Sequence, residues 1–96
     1  MPDVRFHPDA LAELDAAYRW YRQREPAVAE RFLAESERAI ERILAVPHVG
    51  SRYEQSTRRF VCRRFPFVII YRARADEILI VTVAHGRRRP NYWRRR

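Results

Sequence analysis

Hydrophobic and polar positions change their period twice along the chain, and each change predicts a new element. Val4-Arg5-Phe6 alternates and is closed by His7-Pro8, the pattern of a short edge strand. Pro8 suits the first turn of a helix, where its missing N–H costs nothing. From there Leu11, Leu14, Tyr18 and Tyr21 recur at three- and four-residue spacing, which places them on one helical face ending near Arg24, with Trp20 off the stripe. Glu25-Pro26 breaks the pattern and restarts it. The second helix has the clearest period: Ala29, Phe32, Leu33, Ser36, Ile40, Ile43 and Leu44 form a stripe. Glu30, Arg31, Glu35, Glu37, Arg38, Glu41 and Arg42 lie largely opposite, as a solvated charged face. So short a link between two amphipathic helices predicts an antiparallel helical hairpin.

Val46-Pro47-His48-Val49-Gly50 ends this helix, and strand periodicity follows. Between Thr57 and Phe65, Arg58, Phe60, Cys62 and Arg64 fall on one side, and Arg59, Val61, Arg63 and Phe65 on the other, with Pro66 as punctuation. Phe67–Tyr71 and Ile78–Ala84 are nearly continuous apolar runs rich in β-branched residues, as expected of central strands joined by a hairpin turn. The order is β-α-α-β-β-β, an α+β class in which a helical hairpin packs on one face of a small, mostly antiparallel sheet. The other face is expected to stay open. In the last strand, Leu79, Val81, Val83 and His85 share a side by simple alternation.

Ninety-six residues with 47% hydrophobic content suit a single domain spanning 1–96. Charge then divides the chain. Residues 1–50 hold seven arginines against nine acids, and residues 51–96 hold thirteen against three, so the net +8 belongs to the C-terminal half. A basic surface attracts nucleic acid, anionic membrane or an acidic protein, and charge by itself does not choose among them. All twenty basic residues are arginine, which keeps its proton near neutral pH; acid–base work would fall to histidine, tyrosine or a carboxylate. Cys62 is solitary, and its neighbours Phe60, Val61 and Phe65 suggest a buried thiol in a reducing compartment. No signal-like segment or bilayer-length apolar run occurs, so a cytoplasmic protein without membrane attachment is expected. His7, His48 and Cys62 lack metal-site spacing, and two glycines leave no phosphate-cradling loop; neither metal nor cofactor is expected.

Candidate chemistry gathers at the end of the chain, VAHGRRRPNYWRRR. Cleavage of RNA through its 2′-hydroxyl requires a base, an acid and positive charge at phosphorus. Arg59, Arg63 and Arg88 would stabilise the phosphate, His85 would transfer a proton, and Tyr92 would stack on a base or donate a proton. The same surface, with Arg64, Arg87, Arg89 and Trp93 added, equally suits docking on an acidic partner. The ordinary alternatives are a turn histidine at His85, hydrophobic plugs at Tyr92 and Trp93, and a basic tail.

The segments FHPDALAELDAAYRWY, AIERILAVP, RRFVCRRFPFVIIYRARADEILIVTVAH and HGRRRPNYW together resemble the RelE/ParE superfamily of small bacterial type II toxins, closer to its ParE-like branch. The resemblance implies the β-α-α-β-β-β toxin fold and a cognate antitoxin with an acidic, amphipathic segment that forms a hetero-oligomer with the toxin. ParE-like members of this superfamily poison DNA gyrase, whereas RelE-like members cut mRNA in the ribosome. By position, Arg59, Arg63, Arg88 and Tyr92, with His85 beside them, occupy the places of the ribonuclease site. The lysines of that site are absent here, and the loop from His48 to Ser56 offers only Arg52, Tyr53 and Glu54. The expected function is therefore growth inhibition by binding gyrase, with ribosome-dependent mRNA cleavage as the alternative and a non-toxic nucleic-acid-binding domain below both.

Overall fold

A short parallel strand at one edge and a two-residue strand at the other frame the sheet. The computed structural model describes residues 2–85 and 93–96. Strand β1 (Asp3–Phe6) leads into helices α1 (Pro8–Arg24) and α2 (Pro26–Ala45). These are followed by β2 (Ser51–Arg52), a 3-10 turn at Glu54–Ser56, and strands β3 (Arg58–Val61), β4 (Phe67–Ala73) and β5 (Glu77–His85). The spatial order is β1-β5-β4-β3-β2, with β1 parallel to β5 and every other pairing antiparallel. The α+β arrangement of a helical hairpin on a mostly antiparallel sheet is thus present, with β2 and the 3-10 turn added to the six expected elements.

Local chemistry explains the helix boundaries. His7 caps α1 by accepting the Asp9 N–H on Nδ1 at 3.1 Å, and prolines open both helices. Glu25 serves as C-cap of one helix and N-cap of the next, in extended backbone that the following proline favours. The buried face of α1 differs from the expected stripe. Leu11 is 53% exposed, while Ala10 and Ala17 are buried and Leu14, Tyr18 and Tyr21 flank them. Alanine lets the helix axis approach its neighbours, and a leucine one position round then points to solvent. On α2, Ala29, Phe32, Ser36, Ala39 and Ile43 are buried, and the Ser36 hydroxyl is satisfied by donating to the Phe32 carbonyl at 2.9 Å.

The core between helices and sheet centres on rings. Phe32 meets Tyr21, Phe65 and Phe67 at centroid separations of 5.2, 5.5 and 5.1 Å. Each fully buried ring of this size stabilises the fold by roughly 2–3 kcal/mol through area alone. Phe65 joins this cluster because β3 stops at Val61, sooner than the alternation through Phe65 suggested. The chain turns at residues 62–66, the Cys62 N–H reaches the Phe67 carbonyl at 3.0 Å, and Phe65 swings back under α2.

A second correction concerns β5. The β4–β5 register shifts between Ile70 and Tyr71, so that Ile70 faces Thr82 and Tyr71 faces Ile80, leaving Val81 as an extra residue. This bulge puts Leu79 and Val81 in the cluster on the face away from the helices, while Ile80 and Val83 join the helix-side core. Simple alternation cannot anticipate it. Nor is that second face bare: Trp93, 3% exposed, lies on it against Ile70 and Val81, with Val68 and Leu79 around them.

Candidate functional site

Two anchors shape the basic half of the molecule. The first is Tyr71, buried in β4, whose hydroxyl donates to the Pro47 carbonyl at 2.8 Å and accepts the Gly50 N–H at 3.0 Å. Arg58 donates to the Gly50 carbonyl at 2.8 Å and to that of His48 at 3.3 Å, so it is spent on holding the loop after α2. Gly50 is required by this approach, since a Cβ there would lie 2.8 Å from Tyr71 Oη and 3.0 Å from the Arg59 carbonyl oxygen. Burial raises the Tyr71 pKa, with the Gly50 hydrogen bond and the Arg58 charge pulling the other way.

The second anchor holds the C-terminal end. Arg96 donates through Nη1 to Glu13 Oε1 at 2.8 Å and to the Val81 carbonyl at 3.1 Å, and its Nε lies 3.6 Å from Asp9 Oδ2. Arg94 pairs with Glu54 at 2.8 Å, and the Trp93 and Tyr53 rings stand 6.1 Å apart. Gln55 and Ser56 beside this contact take positive φ of 54° and 59°. The Thr57 hydroxyl, donated to the Glu54 carbonyl, stabilises that turn.

Between α2, the loop through Val49–Ser51 and the end of β3 runs an open groove of about 730 Å³. Arg59, Arg63 and Arg64 line it, so three of the expected site residues are brought to one place. A shared strand side is not the reason: Arg63 and Arg64 sit in the turn after Val61, and the groove itself gathers them. Arg38 and Arg42 complete the set from α2, on the charged face that the helical period assigns to solvent. Their four-residue spacing, with Glu35 one turn before Arg38, was the available signal. Glu35 is paired with Arg38 and lies 3.9 Å from Arg64, and it is the one carboxylate among the lining residues. Cys62 forms part of the groove wall as a buried thiol whose pKa is pushed up to about 12 by burial and by the negative charge of Glu35. It is a poor nucleophile as placed.

The remaining expectations separate. The backbone of His85 closes β5 opposite Phe67. The side chain of His85, together with Arg87, Arg88, Arg89 and Tyr92, lies outside the described residues. Trp93 is buried on the sheet, where it packs rather than presenting a ring to a partner. Among the described residues no three His, Cys, Asp or Glu side chains converge as a metal site, and no helix is long and apolar enough to cross a membrane.

A helical hairpin over one face of a five-stranded mixed sheet, with a basic groove between α2 and the end of β3, defines a small α+β domain with a basic surface cleft. The family model for the ParE toxin of the type II toxin–antitoxin system parDE matches residues 4–90, and the chain belongs to this family. A solved structure described as the chromosomal ParDE TA system from P. aeruginosa is similar in fold, with a TM-score of 0.66 and 24% identity. The match covers 91% of this chain and 98% of that one. No curated protein matches the sequence.

Proposed function

We propose that this chain is the toxin of a type II module that arrests growth by binding and poisoning DNA gyrase, and that a cognate antitoxin holds it inactive. Membership of the ParE family carries the reading. The described part of the basic surface supports it, because Arg59, Arg63, Arg64, Arg38 and Arg42 surround a groove suited to docking an acidic surface. None of these groups moves protons near neutral pH, and the thiol among them is held protonated.

The test uses purified components. Toxin added to gyrase on supercoiled DNA is expected to trap cleaved DNA or block supercoiling, and to leave ribosome-bound mRNA intact. Codon-phased mRNA cuts with unaltered supercoiling would overturn the reading. Growth arrest on expression, relieved by the neighbouring gene, is the expected result for the antitoxin.

A further inference from the structure

We infer that the outer edge of β1 pairs with β1 of a second copy of this chain, antiparallel and centred on Val4, so that two five-stranded sheets join into one. The inference is independent of the proposed function and concerns the edge of the sheet away from the basic groove.

Strand β1 has a neighbour, β5, on one side only, and the ladder shows which of its backbone groups are left over. The Asp3 N–H donates to the Asp76 carbonyl at 3.0 Å, and the His7 N–H to that of Ile80 at 2.9 Å. In a parallel ladder alternate residues face the same neighbour. Asp3, Arg5 and His7 therefore direct their backbone groups toward β5, and Val4 and Phe6 direct theirs outward. Among the described residues nothing pairs with those outward groups. The side chains of Val4 and Phe6 are half-buried against the helix-side core, whereas Asp3 and Arg5 stand exposed on the other face. A strand edge left bare in this way is a template for another chain.

Charge and chain direction select the occupant and its register. A second copy brought antiparallel about Val4 exchanges two hydrogen bonds between the two Val4 backbones, and each Phe6 N–H meets the Pro2 carbonyl of the other copy. Asp3 then stands directly opposite Arg5 of the other copy, at the closer positions of the ladder, with Cα atoms about 4.5 Å apart. Each Asp3 thereby gains a cation. Within one copy its register partner is Glu77, a like charge, and Arg5 leans to Glu77 at 3.4 Å with 71% of its side chain exposed. Centring on Arg5 would set two arginines face to face. Centring on Phe6 would run the ladder into Pro8, where α1 has begun and no N–H exists. On the helix side Val4 meets Val4, so the exposed parts of two half-buried apolar side chains cover each other. Repulsion between two chains of net charge +8 is muted at this edge. Strand β1 belongs to the half with seven arginines against nine acids, and β3 lies three strand spacings away, roughly 14 Å, beyond a Debye length of about 8 Å.

Sedimentation velocity of the whole chain at about 0.15 M salt, over concentrations up to about 1 mM, should show a monomer–dimer equilibrium, weak because a four-residue edge buries little area. Asp3→Arg and Arg5→Asp, each alone, place like charges at two symmetric sites and should weaken association about tenfold or more. An equimolar mixture of these two variants restores both charge pairs in a heterodimer and should recover the affinity of the unaltered chain. Asp15→Arg and Arg19→Glu, which change the net charge by the same amounts on α1, should leave association unchanged. Exchange of the Val4 and Phe6 amides should slow as concentration rises, while that of Arg5, already bonded to β5, should not. Should a charge variant fail to fold, amide exchange in the unaltered chain decides. A monomer at every concentration, association that both charge reversals leave intact, a mixture no tighter than the single variants, or dimers whose Val4 and Phe6 amides exchange at the monomer rate would each overturn the inference. Gyrase inhibition is read separately, so loss of one result leaves the other standing.

Discussion

Glu13 and Arg96 seal the edge of β5 that β1 leaves uncovered. Strand β1 ends at Phe6, and the His7 N–H makes a last bond to the Ile80 carbonyl at 2.9 Å. Beyond it, the Val83 N–H and the Thr82 hydroxyl both donate to Glu13 Oε1, at 3.1 and 2.8 Å, and Arg96 takes the Val81 carbonyl while pairing with the same carboxylate. Two side chains, one from the first helix and one from the last residue, thus replace the missing strand. With 10% and 13% of their side-chain surfaces exposed, they form a largely desolvated pair.

Removing one partner should therefore cost more than a surface ion pair would. Glu13→Ala removes the acceptor of the Val83 N–H and the carboxylate that pairs with Arg96 at 2.8 Å, while Asp9 stays 3.6 Å from the guanidinium, and a loss of about 3 kcal/mol is expected. Glu13→Gln, which can still accept one hydrogen bond, should lose less. Urea unfolding midpoints at constant m-value measure both; equal stability of Glu13→Ala and the unaltered protein would contradict the sealing role.

Gly50→Ala is expected to be destabilising by roughly 1–3 kcal/mol, because the added methyl would stand 2.8 Å from Tyr71 Oη and 2.9 Å from its ring. Tyr71→Phe should cost about 1–3 kcal/mol by leaving the Gly50 N–H without its acceptor. The two substitutions share one contact, so the double variant should fall short of the sum. A thermal-unfolding cycle reads the coupling.

Trp93→Ala is expected to cost about 3–5 kcal/mol by emptying the space over Ile70 and Val81. Tryptophan emission offers a direct check, since Trp93 is buried and Trp20 is 47% exposed. Trp20→Phe should leave a blue-shifted spectrum that reddens only on unfolding. A spectrum already red in the native state would refute the placement of Trp93 on the sheet.

Cys62 sets an alkaline limit on stability. Its folded pKa of about 12 exceeds that of an exposed thiol, so the folded state holds the proton more tightly. The stabilisation is complete below the unfolded pKa near about 8.5 and is lost as pH rises toward 12. Cys62→Ala should flatten the fall in stability between these values, and iodoacetamide should label the native thiol slowly at pH ~8.5 and rapidly after denaturation.

Much of the architecture was legible because local chemistry and burial agree. Pro8 and Pro26 mark the helix starts, and most of the α2 stripe, Ala29, Phe32, Ser36 and Ile43, is buried as the period predicts, with Ala39 added to it. Periodicity centres the α1 stripe on Leu11, since it rewards large apolar residues. A close helix contact instead prefers Ala10 and Ala17, which carry weak signal in a hydropathy pattern. The arginines at 59, 63 and 64 were visible as candidates, but Arg38 and Arg42 were not. A helical charged face looks the same in sequence whether it meets water or forms one wall of a groove.

The sequence by itself determined the element types, their order and the concentration of positive charge in the second half, because these depend on residue spacing, proline chemistry and composition. Only the tertiary structure decided which faces those residues share. The Val81 bulge reverses the outward pattern of β5, the early end of β3 sends Phe65 into the core, and Trp93 closes the face that alternation left open. Each depends on pairings between residues far apart in the chain, where a one-residue change of register moves a side chain from one side of the sheet to the other.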